Sequence, residues 1–180
     1  MTAEELLITV ARVAGSLPVL VWPFAGAIVA IMVDFSDLFM MNLLDLGGVS
    51  DYQSLDKRLD LVYMAMFLVV VLRWNGTSRS VGIGLFAYRI VGVAAFEITG
   101  EREVLLFFPN VFEFWVLFVA TAARFRPGYA WTRLNAALWL APLVALKEAQ
   151  EVVLHGFQSL DEYRAVDVVA GAWHWLAALA

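Results

Sequence analysis

Between Arg12 and Asp34 the chain carries 21 consecutive uncharged residues, Val13–Val33. At 1.5 Å per residue a helix of that length spans roughly 32 Å, about the thickness of a bilayer's hydrocarbon core. Apolar segments recur at Leu61–Leu72, Ser80–Ile98, Val104–Ala123, from Leu134 onward and at Val166–Ala180. With 62% hydrophobic and 16% charged residues, the 180-residue chain lacks the polar cover that a soluble domain of this size needs. The pattern predicts an all-α fold, with one integral membrane domain over residues 1–180. Its architecture is a polytopic membrane helix bundle of five or six transmembrane helices.

Several functions are excluded at once. There is no cysteine, so disulfides, thiolate metal sites and cysteine nucleophiles do not arise. The net charge is −5 and no basic-aromatic run occurs, which argues against nucleic acid. No Gly-rich phosphate loop, GxSxG elbow or usable Ser-His-Asp set is present, and no organic cofactor is implied. The partners expected are the lipid bilayer and either other membrane subunits or a second copy of the chain. The N-terminus, MTAEELLITVARV, is acidic, unlike the basic start of a cleaved signal peptide, so the first span is expected to be retained.

Pro18 and Pro23 lie five residues apart and should kink or restart the first helix, which opens as a short surface helix. The second span has only 12 uncharged residues, Leu61–Leu72, or roughly 18 Å of helix. Its helix must therefore begin near Asp51 and carry Asp56 and Asp60 toward the membrane. If five segments each cross once, charge sorts by side. Arg12, Arg73, Arg79, Arg124, Arg126 and Arg133 meet Glu4 and Glu5 on one face, 6 − 2 = +4. The other face sets 14 acidic residues against five basic ones, 5 − 14 = −9. The compact arginine turns favour a cytoplasmic first face, with the N-terminus on it and the acidic face extracytoplasmic.

Six carboxylates fall within the 27 residues from Asp34 to Asp60. Asp34, Asp37 and Asp45 share one helical stripe, and Asp56 and Asp60 another, joined through the Gly47-Gly48 turn. Carboxylates that converge repel unless a cation or basic residue lies between them. Oxygen-only ligands of this kind suit Mg²⁺, Ca²⁺ or Mn²⁺. Asp34-x-x-Asp37 followed by Asp56-x-x-x-Asp60 resembles the acidic skeleton of the CDP-alcohol phosphatidyltransferases. The resemblance covers 27 of 180 residues; Leu38, Met41-Asn42 and Tyr52 depart from that family's Gly, Ala-Arg and later Gly. It implies that the four aspartates bind divalent metals holding a CDP-alcohol, at a site facing the cytoplasm.

Two further constellations stand out. Glu148, Glu151 and His155 lie at i, i+3 and i+7, a spacing able to ligate Zn²⁺ or a transition metal, or simply a polar helix exit. Arg89 and Glu113 fall mid-segment, where a lone charge costs at least about 2.5–3.5 kcal/mol, so mutual pairing is expected. The functional expectation is an Asp-rich, divalent-cation-binding interfacial site that handles a phosphorylated lipid headgroup. The alternatives are a non-enzymatic accessory subunit of a membrane complex and an ion or proton transporter built on Arg89, Glu97 and Glu113. No nucleophile or general base is identifiable, which leaves enzyme activity undecided.

Overall fold

The two prolines of the first apolar run turn the chain back on itself. The computed structural model describes residues 3–43, 52–100, 104 and 107–151, with the backbone alone for 3, 4, 35–43, 52–54, 56 and 151. Helix α1 (Ala3–Ser16) leads into a 3-10 turn, Leu17–Leu20, and α2 (Pro23–Leu43) begins on Pro23. Proline suits both starts because its missing N–H would be unsatisfied there anyway. The Trp22 N–H donates to the Pro18 carbonyl at 2.8 Å and the Gly26 N–H to the Trp22 carbonyl at 2.7 Å, closing the reversal. A Cβ at residue 26 would stand 2.2 Å from the Val19 nitrogen, so only glycine lets the turn lie against α2. The helix restart holds as expected, and α1 leaves Leu6, Leu7 and Val10 exposed on its outer face. It packs on α2 and α3 and buries Ile8 and Arg12.

Helix α3 (Tyr52–Leu72) starts ahead of its charged residues, as the short apolar stretch required. A turn at residues 73–75 leads into α4 (Gly76–Thr99), which ends at Gly100 with φ 71° and its N–H on the Phe96 carbonyl. The apolar stretch at 104–123 does not form one continuous helix. A turn around Pro109 delays α5 to Val111–Phe125, and α6 follows as Arg133–Glu151. Thr132 and Asn135 cap α6 reciprocally: each backbone N–H donates to the other's side-chain oxygen, at 2.8 and 3.2 Å.

The described residues form six α-helices and no strand, so the all-α expectation holds among them. Among the described residues one helix, α4, is long and apolar enough to cross a membrane, and Pro23–Asp34 is a shorter apolar stretch. The others fall short individually for plain reasons. Lys57, Arg58 and Asp60 interrupt α3, Lys147 and Glu148 interrupt α6, and α5 has 15 residues, roughly 22 Å.

Helix α5 is the hub, packed against α2, α3, α4 and α6. It buries Phe112 and Val116 against Met64, Phe67, Val70 and Val71 of α3, and Trp115 in a second cluster with Val119 and with Ala136 of α6. The Trp115 indole N–H donates to the Ser78 carbonyl at 3.1 Å, fixing α5 on the start of α4. At Gly92 a Cβ would lie 2.2 Å from that of Phe108, which sets how closely α4 approaches the turn before α5.

Successive helices run in alternating directions. Arg73 Nη1 donates to the Leu20 carbonyl at 2.5 Å, so the 17–22 turn and the α3–α4 turn share one end of the bundle. The α5–α6 turn lies at the same end, where it lines a cavity with Arg73 and Trp74. Since α1 runs toward this end, the N-terminus belongs to the opposite one. Charge counting grouped the N-terminus and Arg12 with the arginine turns; in the fold the proline reversal sets Arg12 beside Asp34 and Asp60 instead. The arginine end sharpens as a result: residues 73–79 and 124–133 hold five arginines and no Asp or Glu.

Candidate functional site

Two charged nodes lie inside the bundle, linked along one face of α3. In the first, α1 supplies Arg12, which is buried, while Asp34 of α2 and Asp60 of α3 are partly exposed. Arg12 Nη2 pairs with Asp34 Oδ1 and lies 2.6 Å from Asp60 Oδ1. The Ser16 hydroxyl donates to the Arg12 carbonyl at 2.7 Å and completes the turn of α1 that presents the guanidinium. The positive charge expected between these aspartates thus comes from the chain itself. A guanidinium shared by two carboxylates offsets their repulsion and makes charge-assisted hydrogen bonds to both.

The second node is centred on Glu113. Tyr63, one helical turn beyond Asp60, donates its hydroxyl to Glu113 Oε2 at 2.5 Å. Asn110 Nδ2 lies 2.8 Å from the Tyr63 hydroxyl and 3.0 Å from the same Oε2. Lys147 of α6 donates to the other oxygen, Oε1, at 3.2 Å, and to Gln150 Oε1 at 3.1 Å. Glu113 and Lys147 are 5% and 6% exposed, so this is a desolvated pair that stands only because hydrogen bonds complement its charges. Its placement has a local cause. Pro109 stops an earlier helix, so α5 begins at Val111 and puts Glu113 in its first turn, where the helix dipole favours a carboxylate. Asn110 makes no side-chain cap to α5, because its amide group is turned toward Tyr63 and Glu113.

Of the aspartates singled out from sequence, Asp34 and Asp60 converge. The side chains of Asp37 and Asp56 lie outside the described residues, although their backbones belong to α2 and α3. Asp45 and His155 lie outside them altogether, and Glu151 ends α6 with its side chain outside them. Glu148 is half-buried on α6. Among the described residues no group of three or more Asp, Glu or His side chains is placed to hold a metal ion.

The Arg89–Glu113 pairing does not form. Arg89 Nη1 donates to the Phe108 carbonyl at 2.7 Å, while its Nε is buried with no partner among the described residues. Helix α4 sets Arg89 against the turn before α5, whereas Glu113 looks toward α3 and α6. Sequence depth placed both charges inside the bundle, but helix rotation decides which neighbour each one meets. Arg12, Tyr63 and Lys147 were not foreseen as members of the site. The i, i+3 spacings Asp60-x-x-Tyr63 and Asn110-x-x-Glu113 were the available signals.

Between α3 and α4, Lys57, Asp60, Met64, Arg89 and Phe96 line a cavity of about 20 Å³, room for a single water molecule. The Lys57 ammonium sits 3.1 Å from the Phe96 ring centroid, a cation–π contact. Comparison of the chain with protein-family models, curated proteins and solved structures returned no match.

Proposed function

We propose that the chain is a polytopic integral membrane protein whose buried charge network carries protons across the helix bundle. The observation behind this reading is the hydrogen-bonded group Tyr63, Asn110, Glu113 and Lys147, held inside the bundle by α3, α5 and α6, with Asp60 one helical turn before Tyr63 on α3. Ionisable groups inside a membrane bundle are costly and mark proton and ion pathways. Tyr63 and Glu113 share a short hydrogen bond, and Lys147 provides a second group able to exchange a proton with the carboxylate. Membrane insertion is supported by α4, whose apolar window is only 11% buried, so most of it faces outward where a soluble core helix would be covered. With the arginine turns in the cytoplasm, the N-terminus lies on the outer side.

The test is proton flux into liposomes under a potassium diffusion potential, read by an enclosed pH dye. Wild-type protein should acidify the lumen at least about tenfold faster than Glu113→Gln, with both variants equally folded. Flux equal to that of protein-free liposomes, or undiminished in Glu113→Gln, refutes the reading. The saturation of the Glu113 node favours a second reading, an accessory subunit in which the charges only fix helix packing. That reading expects no flux from either protein, and a partner that co-purifies with wild type but is lost from a variant altered at Glu113 and Lys147.

A further inference from the structure

The end of the bundle remote from the charge network carries a second feature that the proton reading does not use. A cavity of about 410 Å³ opens between the α3–α4 and α5–α6 turns. Its lining includes Arg73, Trp74 and Asn75 from the first turn and Arg126, Tyr129 and Trp131 from the second. No Asp or Glu lines it, and Arg126 is exposed. Arg73 has one terminal nitrogen on the Leu20 carbonyl, which anchors the side chain at the cavity mouth. Trp131 packs edge-to-face on Trp115 at 5.1 Å and on Tyr129 at 4.9 Å between ring centroids. The aromatic wall is therefore tied to the buried core of α5 rather than left loose in a turn.

The geometry points to a binding site for a phosphate group between Arg73 and Arg126, presented by an anionic phospholipid headgroup or as free phosphate. Two guanidiniums from separate turns offer planar, multiply donating forks suited to phosphate oxygens. With no carboxylate in either turn, their charge is not neutralised locally. The cavity volume lies within the range of small-molecule sites, and indole rings such as those of Trp74 and Trp131 favour the depth of lipid headgroups. Arg73 lies ten residues beyond Tyr63, roughly 15 Å along α3, so this site stands or falls separately from the charge network.

The experiment follows the melting temperature of the full chain in detergent during titration with three soluble probes. These are dihexanoyl phosphatidic acid, inorganic phosphate, and dihexanoylglycerol, which has the same tails and no phosphate. Phosphatidic acid should stabilise the wild type, with dihexanoylglycerol inert. Stabilisation by inorganic phosphate as well identifies the phosphate group as sufficient, whereas a response to phosphatidic acid alone identifies the lipid as the source. Arg126→Gln should raise the half-maximal phosphatidic acid concentration at least about tenfold. It is the chief variant because Arg73 also holds the Leu20 turn. Arg133→Gln, which removes a nearby arginine outside the cavity lining, should leave the titration unchanged. Three results overturn the site: no response to either phosphate probe, an equal response to dihexanoylglycerol, or the same titration in Arg126→Gln as in wild type. A loss in Arg133→Gln equal to that in Arg126→Gln overturns it too, since general positive charge would then be enough.

Discussion

Replacing Lys147 by methionine keeps most of the side chain's length and removes its charge, leaving Glu113 without a cation in the middle of the bundle. The carboxylate retains two neutral donors, Tyr63 at 2.5 Å and Asn110 at 3.0 Å. Breaking a buried ion pair by removing one partner costs about 3–5 kcal/mol, and those two donors place Lys147→Met near the lower bound. Glu113→Leu should cost about the same, because the buried ammonium loses the carboxylate it pairs with. The double variant carries neither charge. Tyr63 and Asn110 still bond each other at 2.8 Å, so its loss is about 3 kcal/mol in total, mainly a missing acceptor and imperfect packing. The two single losses then exceed the double loss by about 3 kcal/mol, at the upper end of couplings between contacting residues. Denaturant unfolding in detergent, followed by tryptophan fluorescence, measures all four corners of the cycle. Losses that add within about 0.5 kcal/mol would show that the pair does not interact. The same cycle between Arg89→Leu and Glu113→Leu should be additive, because the two side chains share no partner.

Arg12→Leu removes the guanidinium that Asp34 and Asp60 share and should destabilise by about 3 kcal/mol; Arg12→Lys should recover part of this, since an ammonium supplies the charge without the planar fork. Both effects are read by the same unfolding assay, and a neutral Arg12→Leu would refute the guanidinium bridge. Gly26→Ala places a methyl 2.2 Å from the Val19 nitrogen, and because backbone cannot rotate away the loss should be at least about 1–3 kcal/mol. A melting temperature within error of wild type would mean that the proline turn does not rest on α2. Topology is testable by single cysteines in this cysteine-free chain. Residues 5 and 100 should label from one side of the membrane, and residues 75 and 128 from the other.

Most of the helices were legible because apolar run length and punctuation are local properties. The restart at Pro18 and Pro23, the early start of α3 and the glycine end of α4 all follow from residues within a turn or two of each boundary. The 104–123 stretch misled because hydropathy does not register the break at Pro109, where the missing N–H and the ring's bulk end a helix whatever its apolar content. Charge sorting grouped Arg12 with the arginine turns for a related reason: it treated the first apolar run as one straight segment, and the proline reversal brings Arg12 back beside Asp34 and Asp60.

The sequence by itself determined that the described chain is helical and that Asp34, Asp60, Arg89 and Glu113 fall within or beside apolar segments where charge needs a partner. It did not determine the partners. Arg12 reaches Asp60 across 48 positions of chain, Tyr63 reaches Glu113 across 50, and Lys147 reaches Glu113 across 34. Each of those contacts depends on how far a helix rotates and slides as its apolar side chains interlock, and periodicity leaves both quantities free. Packing around α5 chose Lys147 over Arg89 for Glu113, because rotation of that one helix aimed its first-turn carboxylate at α6 and away from α4.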